Sequence, residues 1–119
     1  MMDWLKQQVD TLRERAGVPV RSPEEQAAVE RAAQQLTLFH RPTCPFCIKV
    51  VIAMRRLDVP IPQRDISSDR AAREALVAGG GRQMVPCLRI EDDEGGVRWL
   101  YESRDIVAYL ERRFGPAEQ

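Results

Sequence analysis

Leu36-Thr37-Leu38-Phe39-His40-Arg41-Pro42-Thr43-Cys44-Pro45-Phe46-Cys47 is the stretch on which the fold turns. Its first five residues have the apolar, β-favouring texture of a short strand. A proline-bearing loop follows. Ile48, Val51, Ile52 and Leu57 then fall at helical spacing, and Asp58-Val59-Pro60 closes that helix. Cys44 therefore stands where a strand hands over to a helix. Backbone N–H groups without partners and the positive end of the helix dipole stabilise an anion at that point. A thiolate so placed has a pKa lowered from about 8.5 into a range of roughly 3.5–7.5. Pro45 suits the first helical turn, because no donor is needed there. Cys47, one turn on, is set back within reach of the Cys44 sulfur. One exposed thiolate and one recessed thiol suit thiol–disulfide exchange.

Outward from this stretch, the punctuation defines the other elements. Downstream, Ile61 to Ile66 reads as a second strand, placed at an edge because Pro62 cannot donate to a central ladder. Ser67-Ser68-Asp69 caps a helix through Leu76 and Val77 that Gly79-Gly80-Gly81 ends. Val85 to Glu91 and Val97 to Tyr101 read as strands joined by the hairpin connection Asp92-Asp93-Glu94-Gly95-Gly96. Ser103 caps a last helix with Ile106, Val107, Leu110 and Phe114 inward, stopped by Gly115-Pro116. Upstream, Ser22-Pro23-Glu24-Glu25 starts a helix predicted to run to about Gln35 with a thin, alanine-rich contact stripe. Before it, Trp4, Leu5, Val9, Leu12 and Ala16 fall at helical spacing until Gly17-Val18-Pro19. The order is β-α-β-α-β-β-α after a helical preface. It predicts an α/β domain with a four-stranded mixed sheet and helices on both faces. The division expected is a helical extension over 1–35, a catalytic domain over 36–115 and a tail over 116–119.

Composition narrows the function. The 119 residues carry 18 Lys+Arg and 18 Asp+Glu, a formal balance of zero. That excludes a bulk basic surface of the kind that neutralises a phosphate backbone. Aromatics at 6% argue against stacking platforms for single-stranded nucleic acid. Apolar residues at 44% are enough for a buried core. Three cysteines do not make a disulfide framework. Asp3, Lys6, Gln7 and Gln8 interrupt any secretory apolar run, and no stretch reaches the roughly 20 apolar residues of a membrane span. The expected compartment is a reducing cytoplasm, where closely spaced cysteines bind metal or do redox work.

Zinc would require two ligands besides Cys44 and Cys47. His40 and Cys87 are available, but they form no second closely spaced pair. Two merely structural thiols are the other alternative, and the strand–loop–helix context disfavours it. Met84-Val85-Pro86-Cys87 is the second informative segment. A proline opening a strand in this topology is a candidate for a cis peptide bond. It would leave the Val85 N–H and C=O outside the sheet, where an extended peptide can pair with them. Cys87 reads as a small buried hydrophobe. His40 reads as a strand-end residue next to the site, and Lys49 as a solvated charge. The mixed charges around the Trp4–Ala16 stripe disfavour a membrane surface and favour packing or self-association through residues 1–35.

Leu36 to Phe114 resembles a glutaredoxin of the thioredoxin superfamily. Arg41-Pro42-Thr43-Cys44-Pro45-Phe46-Cys47 is similar to the dithiol signature of that family, and Met84-Val85-Pro86 to its Thr-Val-Pro. The resemblance implies a thioredoxin-like fold, glutathione as reductant, Cys44 as nucleophile and Cys47 as resolving thiol. It also implies that Val85, beside Pro86, pairs with the glutathione backbone. Glutaredoxins usually place Gly-Gly and an acid before the last helix; this chain has Tyr101-Glu102-Ser103-Arg104. Glu102-Ser103 is instead similar to the Glu-Ser of glutathione transferase N-terminal domains, which binds the same γ-glutamyl group. Ser103 offers a hydroxyl and an N–H to a carboxylate, and Glu102 pairs with an ammonium. Arg41, Phe46 and Gln83 complete the expected glutathione contacts, and Lys49 and Arg82 are further candidates to surround the glycine carboxylate.

The function expected is therefore a glutathione-dependent disulfide oxidoreductase acting on glutathionylated or disulfide-containing proteins, with no metal and no nucleic acid. The alternatives are a glutathione-bridged iron–sulfur module, which the bulky Pro45-Phe46 pair disfavours, and a glutathione-binding adaptor without turnover.

Overall fold

A computed structural model of the chain describes residues 7–9 and 18–116. Trp4, Leu5, Leu12 and Ala16 of the predicted N-terminal stripe lie outside the described residues, as does Gly17.

Helix α1 (Pro23–Ala33) begins as its letters dictate. The Glu25 N–H donates to the Ser22 hydroxyl (3.1 Å), and the Glu25 carboxylate accepts from the Ser22 N–H (3.0 Å). This reciprocal cap satisfies two donors that the first turn leaves unpaired. The helix stops two residues earlier than expected, because Gln34 and Gln35 close it with short-range bonds and Leu36 opens the sheet. Only Ala33 is fully buried, so the stripe is thin, as its alanines imply. Arg21 anchors the start of the helix by donating to the Phe114 carbonyl at 2.6 Å.

Four strands follow: β1 (Leu36–His40), β2 (Gln63–Asp65), β3 (Cys87–Glu91) and β4 (Val97–Tyr101). Helices α2 (Pro45–Arg56), α3 (Arg70–Gly80) and α4 (Ser103–Phe114) complete the chain. The sheet order is β2-β1-β3-β4. β1 pairs parallel with β2 and antiparallel with β3, and β3 pairs antiparallel with β4. This is the mixed-sheet, thioredoxin-like arrangement expected, with β2 at an edge. β2 is shorter than Ile61 to Ile66: Pro62 contributes only its carbonyl, which accepts from the Leu38 N–H. β3 begins at Cys87 rather than at Val85, since Pro86 has no N–H for the ladder.

Alternation along β1 splits the core. Leu36 and Leu38 face α2 and α4, packing with Leu88, Val50, Met54, Ile106 and Leu110. Phe39 faces α3 with Ile66, Ala72, Leu76 and Cys87. Trp99 covers that second core, 5.5 Å from the Phe39 ring centroid.

Three further sequence expectations need correction. The inward face of α2 is Cys47, Val50, Ala53 and Met54, with Leu57 after it, whereas Ile48 and Ile52 are exposed. Position on the sheet, and not hydrophobicity alone, sets which stripe is covered. Helix α3 continues through Gly79 and Gly80 and ends at the left-handed Gly81 (φ 85°). A Cβ at Gly79 would collide with the Trp99 ring and one at Gly80 with the Tyr101 hydroxyl, so both glycines serve close packing inside the helix. Finally, Ser103 does not cap α4. It is the first helical residue, and Glu102 (φ 74°) occupies the cap position without a side-chain cap bond.

Candidate functional site

Cys44 is the N-cap of α2, in extended conformation, and Pro45 is the first helical residue. The thiol sits where the first turn's unpaired donors converge. The Cys47 N–H donates to the Cys44 sulfur at 3.4 Å. Partial burial disfavours charge on this thiol. Donation from the Cys47 side chain, from the backbone N–H groups of Cys47 and Phe46, and the Arg41 charge outweigh that effect and hold the Cys44 pKa below the ordinary thiol value. Cys47 is only 1% exposed. Burial, reinforced by the neighbouring Cys44, pushes its thiol up to about 12. The pair therefore divides into an accessible sulfur that ionises early and a covered one that stays protonated.

A groove of about 470 Å³ opens beside the head of α2. It brings together Phe46, Val85, Pro86, Glu102 and Ser103, five of the seven expected glutathione contacts. The Val85–Pro86 peptide bond is cis. Val85 lies just outside the ladder, which starts at Cys87 opposite Phe39. Arg41 and Gln83 do not line this groove, nor does Cys44, which stands two residues before Phe46. Arg41 instead lines a second groove of about 240 Å³ on the other flank of α2, with His40 and Cys47. Gln83 is exposed.

Lys49 also lines the first groove, and so do Met84, Tyr101 and Arg104, which lie beyond the contacts expected from the sequence. Tyr101 and Arg104 flank Glu102-Ser103, which is the signal that points to them. Lys49, expected as a solvated charge, lies over the Phe46 ring at 5.3 Å from its centroid. The Tyr101 hydroxyl donates to the Arg82 carbonyl at 3.1 Å, and the Arg82 guanidinium stacks on the Tyr101 ring. Tyr101 thereby joins the strand end before Glu102 to the loop before Val85. Cys87 is fully buried in the second core, where desolvation pushes its thiol up to about 11. Among the described residues no group of three or more His, Cys, Asp or Glu stands together that could hold a metal ion. No helix among them is long and apolar enough to cross a membrane.

Comparison with known families places this geometry. The model of the glutathione S-transferase N-terminal domain matches residues 38–118, more than half of the chain. The chain belongs to the glutathione S-transferase N-terminal domain family. A probable glutaredoxin from Synechocystis sp. is 34% identical over 61 residues, which are 50% of this chain and 69% of that protein. Maleylacetoacetate isomerase from Anaeromyxobacter dehalogenans, with glutathione bound in its active site, superposes with a TM-score of 0.52 at 25% identity. That match covers 67% of this chain and 38% of the isomerase. A trimeric glutathione transferase from Leishmania gives a TM-score of 0.55 at 26% identity, over 66% of this chain and 18% of that one. The chain thus spans well under half the length of these two enzymes. Within the family, it is a glutathione-related member with the thioredoxin fold and two cysteines at the head of α2.

Proposed function

We propose that the chain is a glutathione-dependent thiol–disulfide oxidoreductase in which Cys44 is the nucleophile and Cys47 the resolving thiol. The observation that carries this reading is the opposite treatment of the two thiols. The Cys44 sulfur is held toward the thiolate at a helix N-terminus, while Cys47 is buried and held protonated one turn behind it. The glutathione bound to the isomerase and the name of the Synechocystis relative support glutathione as the reductant.

In the proposed cycle the Cys44 thiolate attacks the glutathione sulfur of a mixed disulfide. A bond forms between Cys44 and that sulfur, and the old disulfide breaks. The substrate sulfur leaves as a thiolate and takes a proton from solvent. A second glutathione, as thiolate, attacks the adduct, releasing oxidised glutathione and restoring the Cys44 thiolate. With a protein disulfide, Cys44 bonds one substrate sulfur as that disulfide breaks, and the other sulfur leaves as a thiolate. Cys47 gives its proton to that thiolate and attacks Cys44. The first substrate sulfur then leaves as a thiolate that takes a proton from solvent. Two glutathiones reduce the resulting Cys44–Cys47 disulfide and leave as oxidised glutathione. Val85 pairs with the tripeptide backbone, and Ser103 and Glu102 hold its γ-glutamyl carboxylate and ammonium. Phe46 and Pro86 form the apolar walls, and Arg41 favours charge on Cys44. Residues 36–115 form the catalytic domain, and α1 packs into its core through Ala33.

The test is glutathione-coupled disulfide reduction by the wild type and both single-cysteine variants. Cys44→Ser is expected to abolish turnover, whereas Cys47→Ser keeps much of the reduction of glutathione mixed disulfides. Equal activity of the wild type and Cys44→Ser would end this reading.

A further inference from the structure

Cys44, Ile48 and Ile52 succeed one another at four-residue steps of α2, which places them along one face. The two isoleucines are 45% and 58% exposed, although the same helix buries Val50, Ala53 and Met54. An uncovered aliphatic stripe thus runs back from the nucleophile. A groove flanks it on each side. The first, of about 240 Å³, is lined by Arg41, Cys47, Ile48 and Arg55 among others. The second, of about 540 Å³ and open between α2 and α4, includes Arg56, Val107 and Glu111, and shares Lys49, Ser103 and Arg104 with the glutathione groove. Both grooves share Ile52. Their walls carry five Lys and Arg side chains and a single acid, Glu111, which Arg56 engages at 2.6 Å. No Asp or Glu occurs anywhere in Pro45–Arg56. This is a local excess of positive charge in a chain whose charges balance as a whole. Ordinary surfaces intersperse the two signs; a predominantly positive rim around an exposed apolar stripe suits docking of an acidic partner.

We propose that this face of α2 docks the polypeptide of the disulfide substrate, and that the segment it takes is acidic with an apolar side chain close to its cysteine. The proposal rests on the oxidoreductase reading above and supplies its substrate class. The apolar side chain would lie on Ile48 and Ile52, and the carboxylates would meet Arg55 and the other cations of the two grooves. The glutathione half of a mixed disulfide would occupy the adjoining groove between Phe46, Val85 and Ser103, which meets the larger docking groove at Lys49, Ser103 and Arg104. Electrostatic complementarity of this kind acts first on encounter, so it appears in kcat/KM and is screened by salt.

The experiment compares three glutathione mixed disulfides with the full chain. One is formed with free cysteine. One carries a peptide with leucine two residues from its cysteine and glutamates beyond. The third has lysines in place of those glutamates. The expected result at low ionic strength is a kcat/KM about tenfold higher for the glutamate peptide than for the lysine peptide, with the gap closing as salt rises. Arg55→Glu is expected to reverse the preference, and Ile52→Ser to lower turnover of both peptides several-fold. Both side chains are exposed, so the fold is retained. Neither variant changes turnover of the cysteine mixed disulfide. Equal turnover of the two peptides by the wild type, or variants that slow the cysteine mixed disulfide as much as the peptides, would overturn the proposal. So would sedimentation showing a dimer that Ile52→Ser dissociates, because the face would then belong to a second copy. A wild type inactive on all three substrates refutes the oxidoreductase reading itself, a result distinct from activity without peptide preference.

Discussion

The Cys47 N–H points at the Cys44 sulfur, 3.4 Å away, while the Cys47 thiol itself is sealed beneath the helix. One residue therefore stabilises charge on its partner with its backbone and withholds its own proton through burial. The same CxxC letters in a loop would lack this asymmetry, because the donors that favour a Cys44 anion come from the first turn of α2.

The first consequence is a split in thiol reactivity with pH. Alkylation by iodoacetamide follows the thiolate fraction. Cys44 is expected to titrate with a midpoint below the ordinary cysteine value of about 8.5. Cys47, with its pKa pushed up to about 12, is expected to stay unreactive through neutral pH in the folded protein. Peptide mapping of the alkylated chain across pH 4 to 10 checks both. A Cys44 midpoint at or above that of a free cysteine contradicts the assignment.

The raised thiols also set the alkaline limit of stability. Cys47 and Cys87 are pushed up to about 12 and about 11 in the folded state. The unfolded chain loses these protons near the ordinary thiol value, so between there and about pH 11 it binds fewer protons than the folded chain. Stability is then fully present below the unfolded pKa and falls as pH rises through this window. Denaturant midpoints measured from pH 8 to 11 are expected to fall, and to fall less for Cys87→Ala relative to that variant's own value at pH 8. An unchanged slope in Cys87→Ala would remove that thiol from the account.

Several elements are legible in the amino-acid sequence because local chemistry settles them. β1 and β4 have the bounds that their apolar runs and flanking Pro42, Gly96 and Glu102 indicate. Ser22-Pro23 and Asp69 cap the helices they announce. Cys44 at the head of a helix follows from a strand, a loop and Pro45 in succession. What the letters conceal depends on residues distant in sequence. Ile48 and Ile52 are more hydrophobic than Ala53, yet Ala53 is the residue that the fold buries, on the side of α2 that faces α4. Gly79 and Gly80 look like a helix stop, but they are small because Trp99 and Tyr101 from β4 press on them. At the candidate site, Val85, Pro86, Glu102 and Ser103 converge as the motifs suggest, while Arg41 falls on the opposite flank of α2. Adjacency to a cysteine in sequence does not indicate which side of the helix a residue occupies.

The close approach at Gly79 gives a packing prediction. Gly79→Ala places a methyl group against the Trp99 ring, and overpacking of this kind costs about 1–3 kcal/mol. Chemical denaturation is expected to show that loss, with a change in tryptophan emission as Trp99 shifts from Phe39. Stability equal to or above the wild type would show that the ring yields freely.

The groove gives a binding prediction. Ser103→Ala removes a hydroxyl offered to a carboxylate. A lost hydrogen bond to a charged group costs about 1.5–3 kcal/mol, so KM for glutathione should rise roughly tenfold or more. kcat at saturating glutathione and the pH midpoint of Cys44 should be unchanged. Steady-state kinetics separate the two, and a fall in kcat with KM unaltered would place Ser103 outside glutathione binding.

The central claim, a nucleophilic sulfur at Cys44 that accepts glutathione, is tested most directly by trapping. The Cys47→Ser protein is exposed to a glutathione mixed disulfide and mapped by mass spectrometry without reductant. The predicted result is one glutathionyl group per chain, on Cys44, removed by added glutathione. An unmodified Cys44, or the group found on Cys87 instead, would contradict the account.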